Sequence, residues 1–77
     1  MNQQQKQRMN LFSQYRQVYG DLDITGAYEP GDRVKLTTGG YAKIIWVYRG
    51  VRGRVYVIDD NSGFPAEASV DEIAGRA

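Results

Sequence analysis

The sequence predicts a mainly β chain: a small closed barrel of five short strands, preceded by one amphipathic helix. Three observations predict it. Apolar residues near the start recur on a 3.6-residue period, those from Tyr28 onward on a period of two, and turn residues break the second pattern about every 8 to 12 residues. With 77 residues the chain is one domain at most. A chain this short buries only about 60% of the surface its unfolded form exposes.

Residues 1–8 are polar and Gln-rich, with Lys6 and Arg8 following Gln3-Gln4-Gln5. They offer nothing to bury beyond Met1 and are expected to form a mobile tail. Residues 9–20 carry the helical pattern. Leu11, Phe12, Tyr15, Val18 and Tyr19 form one apolar stripe, while Gln14, Arg16 and Gln17 lie mostly off it. Gly20 stands where the helix is expected to end, because glycine adopts the left-handed cap conformation without steric cost. A helix of about 12 to 15 residues is marginal alone in water. The stripe is therefore expected to dock, either on the barrel of its own chain or in the groove of a partner. Residues 21–27 read as a linker, with Asp21, Asp23 and the turn pair Thr25-Gly26.

Residues 28–77 are the predicted barrel. Pro30-Gly31-Asp32 opens a first strand, Arg33 to Thr37, with Val34 and Leu36 on one side and Arg33 and Lys35 on the other. After the Gly39-Gly40 turn, Tyr41 to Tyr48 is the longest strand and is apolar on both faces. Plain alternation puts Ala42, Ile44, Trp46 and Tyr48 on one face and Tyr41, Ile45 and Val47 on the other. Trp46 is expected inside, since so small a barrel needs a large ring to fill it. The second face needs a cover: the helix, a second subunit, or a strong bend in the strand. Arg54 to Ile58 is a third strand. Phe64 to Ser69 is a fourth, weakened by Pro65, which lacks an N–H and prefers an edge. Val70-Asp71-Glu72-Ile73 reads as one helical turn that turns Val70 and Ile73 inward, and a brief fifth strand follows.

Taken together, Pro30-Gly31-Asp32-Arg33-Val34, a glycine turn, Ile44-Ile45-Trp46-Val47-Tyr48, Val55-Tyr56-Val57 and the Val70–Ile73 turn resemble an SH3-like barrel of the kind found in KOW and Tudor modules. The resemblance spans roughly residues 28–75 and implies the fold more than a function, because such barrels serve many purposes. The arrangement is also similar to the plasmid-borne type II dihydrofolate reductases, which share the length, the loose start and the Gly-Asp-Arg-Val strand opening. That likeness implies an alternative function, a homo-oligomeric reductase with a central pore. The family lines its pore with a Val-Gln-Ile-Tyr stretch and a lysine of the first strand. Here the corresponding stretch reads Phe64-Pro65-Ala66-Glu67-Ala68, and Leu36 takes the lysine position beside Lys35. The scaffold matches and the pore chemistry does not.

Composition narrows the chemistry. There are no cysteines and no histidines. Disulfides, Cys-based zinc sites and Ser-His or Cys-His nucleophiles are thereby excluded. The turn Asp59-Asp60-Asn61-Ser62-Gly63 lacks the ligand spacing and distal Glu of a calcium loop. No metal, no cofactor and no catalytic residue is expected. No apolar run approaches the roughly 20 residues of a membrane span, and the polar start is unlike a signal peptide. A soluble, cytoplasmic chain with no membrane partner is expected.

Charge is the most informative pattern. The net charge is +1, yet six bases and no acid fall between Arg33 and Ile58, and five acids and no base between Asp59 and Glu72. Tyr41, Trp46, Tyr48 and Tyr56 interleave the basic part. Cations beside stacking rings suit nucleic acid, whose phosphates attract the first and whose bases stack on the second. Arginine forks hold carboxylates equally well, so an acidic protein is the other candidate partner. The expected function is a small non-catalytic binding module. Its expected surface is Arg33, Lys35, Lys43, Tyr48, Arg49, Arg52 and Arg54. The plain alternative is a solvent face whose bases pair with the nearby acids, each exposed pair contributing about 0–1 kcal/mol.

Overall fold

A computed structural model describes the backbone of residues 3–77 and the side chains of residues 11–77. One helix, α1 (Gln3–Tyr19), precedes five strands: β1 (Arg33–Leu36), β2 (Tyr41–Gly50), β3 (Gly53–Asp59), β4 (Ala66–Ala68) and β5 (Ile73–Arg76). The strands form one antiparallel sheet in the order β4-β3-β2-β1-β5. The sheet is not closed. β4 and β5 are its edges, so the expected closure into a barrel is absent from the strand pairing. β4 is only three residues long and Pro65 precedes it, which leaves few donors with which to close a ring.

α1 begins at Gln3, ahead of the expected start near Met9. Of the tail expected over residues 1–8, Met1 and Asn2 lie outside the described residues, and the backbone from Gln3 is helical. α1 ends where Gly20 takes a φ of 104° and donates its N–H to the Arg16 carbonyl at 2.8 Å. A 3₁₀ turn, Val70–Glu72, links β4 to β5 and is closed by a capping box between Ser69 and Glu72. Ile73 is buried as expected, but Val70 is 53% exposed. Side chains three apart eclipse within a 3₁₀ helix, but Ile73 has already left it for extended backbone (φ −105°, ψ 118°), so the two side chains part.

The core sits on one face of the sheet: Val34, Ala42, Ile44, Val47, Tyr56, Ile58, Ala68 and Ile73, flanked by Leu22, Tyr28, Leu36 and Ala66. Trp46 and Val57 are equally buried but stand outside that cluster. The reason is a bulge. Ile44 pairs with Ile58, and Trp46 with Val57, so Ile45 is an extra residue in β2. The bulge inverts the alternation. Val47 joins Ala42 and Ile44 inside, and Trp46 and Tyr48 turn outward. This corrects the face assignment that plain alternation gives.

α1 covers the outward residues. Phe12 meets the Trp46 ring edge-on at 5.0 Å and Tyr15 meets it at 5.7 Å. Tyr19 stacks on Tyr48 at 5.6 Å. The Trp46 indole Nε1 donates to the Gly20 carbonyl at 3.0 Å, which ties the helix end to the sheet. The two apolar faces of β2 thus serve two layers, a core on one side and a helix on the other. No helix among the described residues is long and apolar enough to cross a membrane.

Candidate functional site

The seven basic and aromatic residues of the expected surface do not form one patch. They divide between the two ends of β2, roughly 20 Å apart at about 3.3 Å per residue.

At the hairpin end, Arg49 and Arg54 lie directly opposite each other. Asp23 of the linker sits between them. Its carboxylate accepts from Arg54 Nε at 3.0 Å and stands 3.8 Å from Arg49 Nε. The Asp23 backbone N–H donates to the Val47 carbonyl at 2.8 Å, which fixes the linker against β2. The Thr25 hydroxyl and backbone N–H donate to the same carboxylate. These two bonds first, and Arg54 after them, hold the Asp23 carboxyl down at about 2. Asp23 in turn raises the pKa of Arg54. Arg54 Nη2 also donates to Thr25 Oγ1 at 2.7 Å, and its stem packs on Gly26 beside the buried Tyr56 hydroxyl. Arg54 is therefore a clasp between linker and sheet. Arg52 projects at the exposed hairpin tip beside Val51.

Tyr48 is engaged as well. Its ring lies under Tyr19, and its hydroxyl donates to Glu67 Oε1 at 3.0 Å. Partial burial, and then this bond to a carboxylate, raise its pKa. On α1, the expected stripe splits. Phe12, Tyr15 and Tyr19 face Trp46 and Tyr48, whereas Val18 is 72% exposed and Leu11 is half exposed.

The other end differs. Arg33 of β1 lies directly opposite Lys43 of β2, and Lys35 opposite Tyr41. Val34 and Ala42 between them point into the core, so the four flanking side chains share the outer face. Among the described residues, no acid lies within 4 Å of Arg33, Lys35 or Lys43. The neighbouring acids have other bonds. Asp32 accepts from the Glu29 N–H at 3.0 Å and from Arg76 Nη2 at 3.4 Å. Asp59, across from Lys43 on β3, accepts the Asn61 N–H at 2.9 Å. Like charges placed directly opposite on two strands repel; Asp59, in register with Lys43 on the neighbouring strand, offsets part of this repulsion without forming an ion pair within 4 Å.

A groove of about 400 Å³ runs along this end, lined by Gly31, Arg33, Tyr41, Ala42, Lys43, Asp59 and Asn61. Tyr41 stands half exposed on its wall. Asn61, which lines the groove, has a φ of 67°, a conformation asparagine tolerates in turns. Sequence reasoning left Tyr41, Asp59 and Asn61 out of the site. Alternation alone could have found Tyr41, two residues from Lys43 on the same side of β2.

The groove can hold an anion between two cations that form no ion pair within 4 Å among the described residues, and offers a ring beside it. Among the described residues, no three acidic side chains gather as a metal site would require. In comparisons with models of protein families, with characterised proteins and with solved structures, nothing significantly matches this chain.

Proposed function

We propose that this chain is an SH3-like fold with its five-stranded sheet left open, acting as a non-catalytic binding module for nucleic acid, through the groove lined by Arg33, Lys43 and Tyr41 with Lys35 beside it. The strand order β4-β3-β2-β1-β5, with a 3₁₀ turn before the last strand, supports the fold. One observation carries the function: Arg33 and Lys43 oppose each other on the outer face with no acid among the described residues within 4 Å. A phosphodiester between them removes their mutual repulsion and adds two charge-assisted hydrogen bonds. Tyr41 gives a neighbouring base a surface on which to stack.

The test is a titration of a labelled oligonucleotide of about 12 residues, a length within the usual site size. Binding should weaken steeply with salt. The double variant R33E/K43E should reduce the slope of log K against log salt by about 1.4 to 1.8, the share of two phosphate contacts. An acidic peptide that binds as tightly with a weaker salt dependence would move the assignment to a protein ligand. No binding of either at low salt would remove it.

A further inference from the structure

Beside the basic groove, and sharing Asp59 with it, lies a second depression of about 260 Å³, lined by Tyr15, Ile45, Asp59, Gly63, Phe64 and Pro65. Its chemistry differs. Phe64 is 79% exposed, an unusual position for so large an apolar ring. The ring is not on a loose loop. Ser62 Oγ donates to the Phe64 carbonyl at 3.1 Å, the Ser62 N–H donates to Asp60 Oδ1 at 3.0 Å, and Pro65 fixes the backbone that follows. The opposite wall is equally fixed, because Tyr15 is backed by Trp46 at 5.7 Å. The floor is Ile45, the extra residue of the β2 bulge. Asp59 stands at the junction. One of its oxygens is held by the Asn61 N–H, so the carboxylate is oriented by the turn, with further lone pairs that can accept from a donor.

A carboxylate at this point repels phosphate and accepts N–H donors. Asp59 borders both depressions and lies across from Lys43, so phosphate is drawn to the Arg33 side of the groove, away from it, while an amino-bearing base is favoured at the aromatic end. Resting on the nucleic-acid reading above, we propose that the Phe64 slot receives an unpaired nucleobase from the strand whose phosphates lie along Arg33 and Lys43. The ligand class is then single-stranded nucleic acid. In a duplex the bases are stacked on one another and cannot enter the slot without being extruded, which costs a few kcal/mol.

The test uses the full chain, a single-stranded oligonucleotide of about 12 residues and a duplex of the same sequence. F64A should weaken single-strand binding roughly 5- to 150-fold, the worth of one base–aromatic stack, and F64W should restore it. Duplex binding should be weaker than single-strand binding and indifferent to F64A. Amide shifts of Ile45, Gly63 and Phe64 should move with the single strand and stay still with the duplex. Because Phe64 is largely exposed, these variants keep the fold. Equal binding of F64A and the unaltered chain, with R33E/K43E still defective, overturns the slot and leaves the groove standing. R33E/K43E binding as well as the unaltered chain overturns both.

Discussion

The sheet places two pairs of cations directly across from each other, and they have opposite surroundings. Arg49 and Arg54 straddle Asp23, a carboxylate delivered by the linker and held by Thr25. Arg33 and Lys43 face each other with no carboxylate bonded between them: Asp32 is taken by the Glu29 N–H and Arg76, and Asp59, in register with Lys43, accepts the Asn61 N–H. The same residue types on the same ribbon therefore have different roles. At the hairpin end they hold the linker, and through it the helix, to the sheet. At the groove end they remain available. A cation's place on a sheet says little about its role until the position of every nearby acid is known.

Substitutions sharpen this contrast, because the two ends should respond in different measurements. The largest effect on stability belongs to the anchored layer. W46A should cost about 3–5 kcal/mol, since it deletes a fully buried ring together with the Gly20 bond. A urea unfolding midpoint reads it directly. Against a total of about 5 kcal/mol for a small domain, much of the population should be unfolded, and a loss below about 1 kcal/mol would show that the helix layer is dispensable.

Next is G26A. A methyl group there would stand 2.7 Å from Arg54 Cδ and Nε and from the Tyr56 hydroxyl. Arg54 cannot retreat without leaving Asp23, and Tyr56 is enclosed. The expected cost is about 1–3 kcal/mol by thermal unfolding, and an unchanged transition would mean the clasp is loose.

Acid probes the same node more gently. The Asp23 carboxyl ionises near 2 in the fold against an ordinary 3.8. Its contribution is therefore complete above pH 3.8 and is lost as pH falls through about 2. Trp46 fluorescence should report loosening across that interval, and D23N should flatten that part of the curve. Identical profiles for both proteins would place the acid response elsewhere. The smallest effect on stability belongs to the free end. R33E/K43E should change the urea unfolding free energy by no more than about 0.5 kcal/mol while reducing the salt slope of binding by about 1.4 to 1.8. A substantial destabilisation would show that these cations, too, are structural.

Much of the strand framework was legible from the residues. Period-two alternation from Tyr28 and the Pro30-Gly31-Asp32 turn located β1, and the long apolar run located β2. The faces of β2 were not legible beyond Ile44. A bulge needs no special residue type, and Ile45 looks like any strand residue until its partner strand is known. The partner of Arg54 was illegible for a related reason. Asp23 is 31 residues away in the chain, and only the folded linker brings the two together. Phe64 was read as the start of β4, but that strand begins at Ala66. Pro65 was the signal that Phe64 lies outside the ladder, because a proline cannot donate to it.

The single extra residue in β2 has an architectural result. It lets one ribbon serve as a partition, with an enclosed interior on one side and a shelf on the other, at no cost in additional strands. A ligand settling on the shelf touches Ile45 and its neighbours, whereas Ile44 and Val47 look the other way. Occupation of the outer surface can thus proceed with the interior untouched, which suits a domain whose interior is too small to absorb any rearrangement.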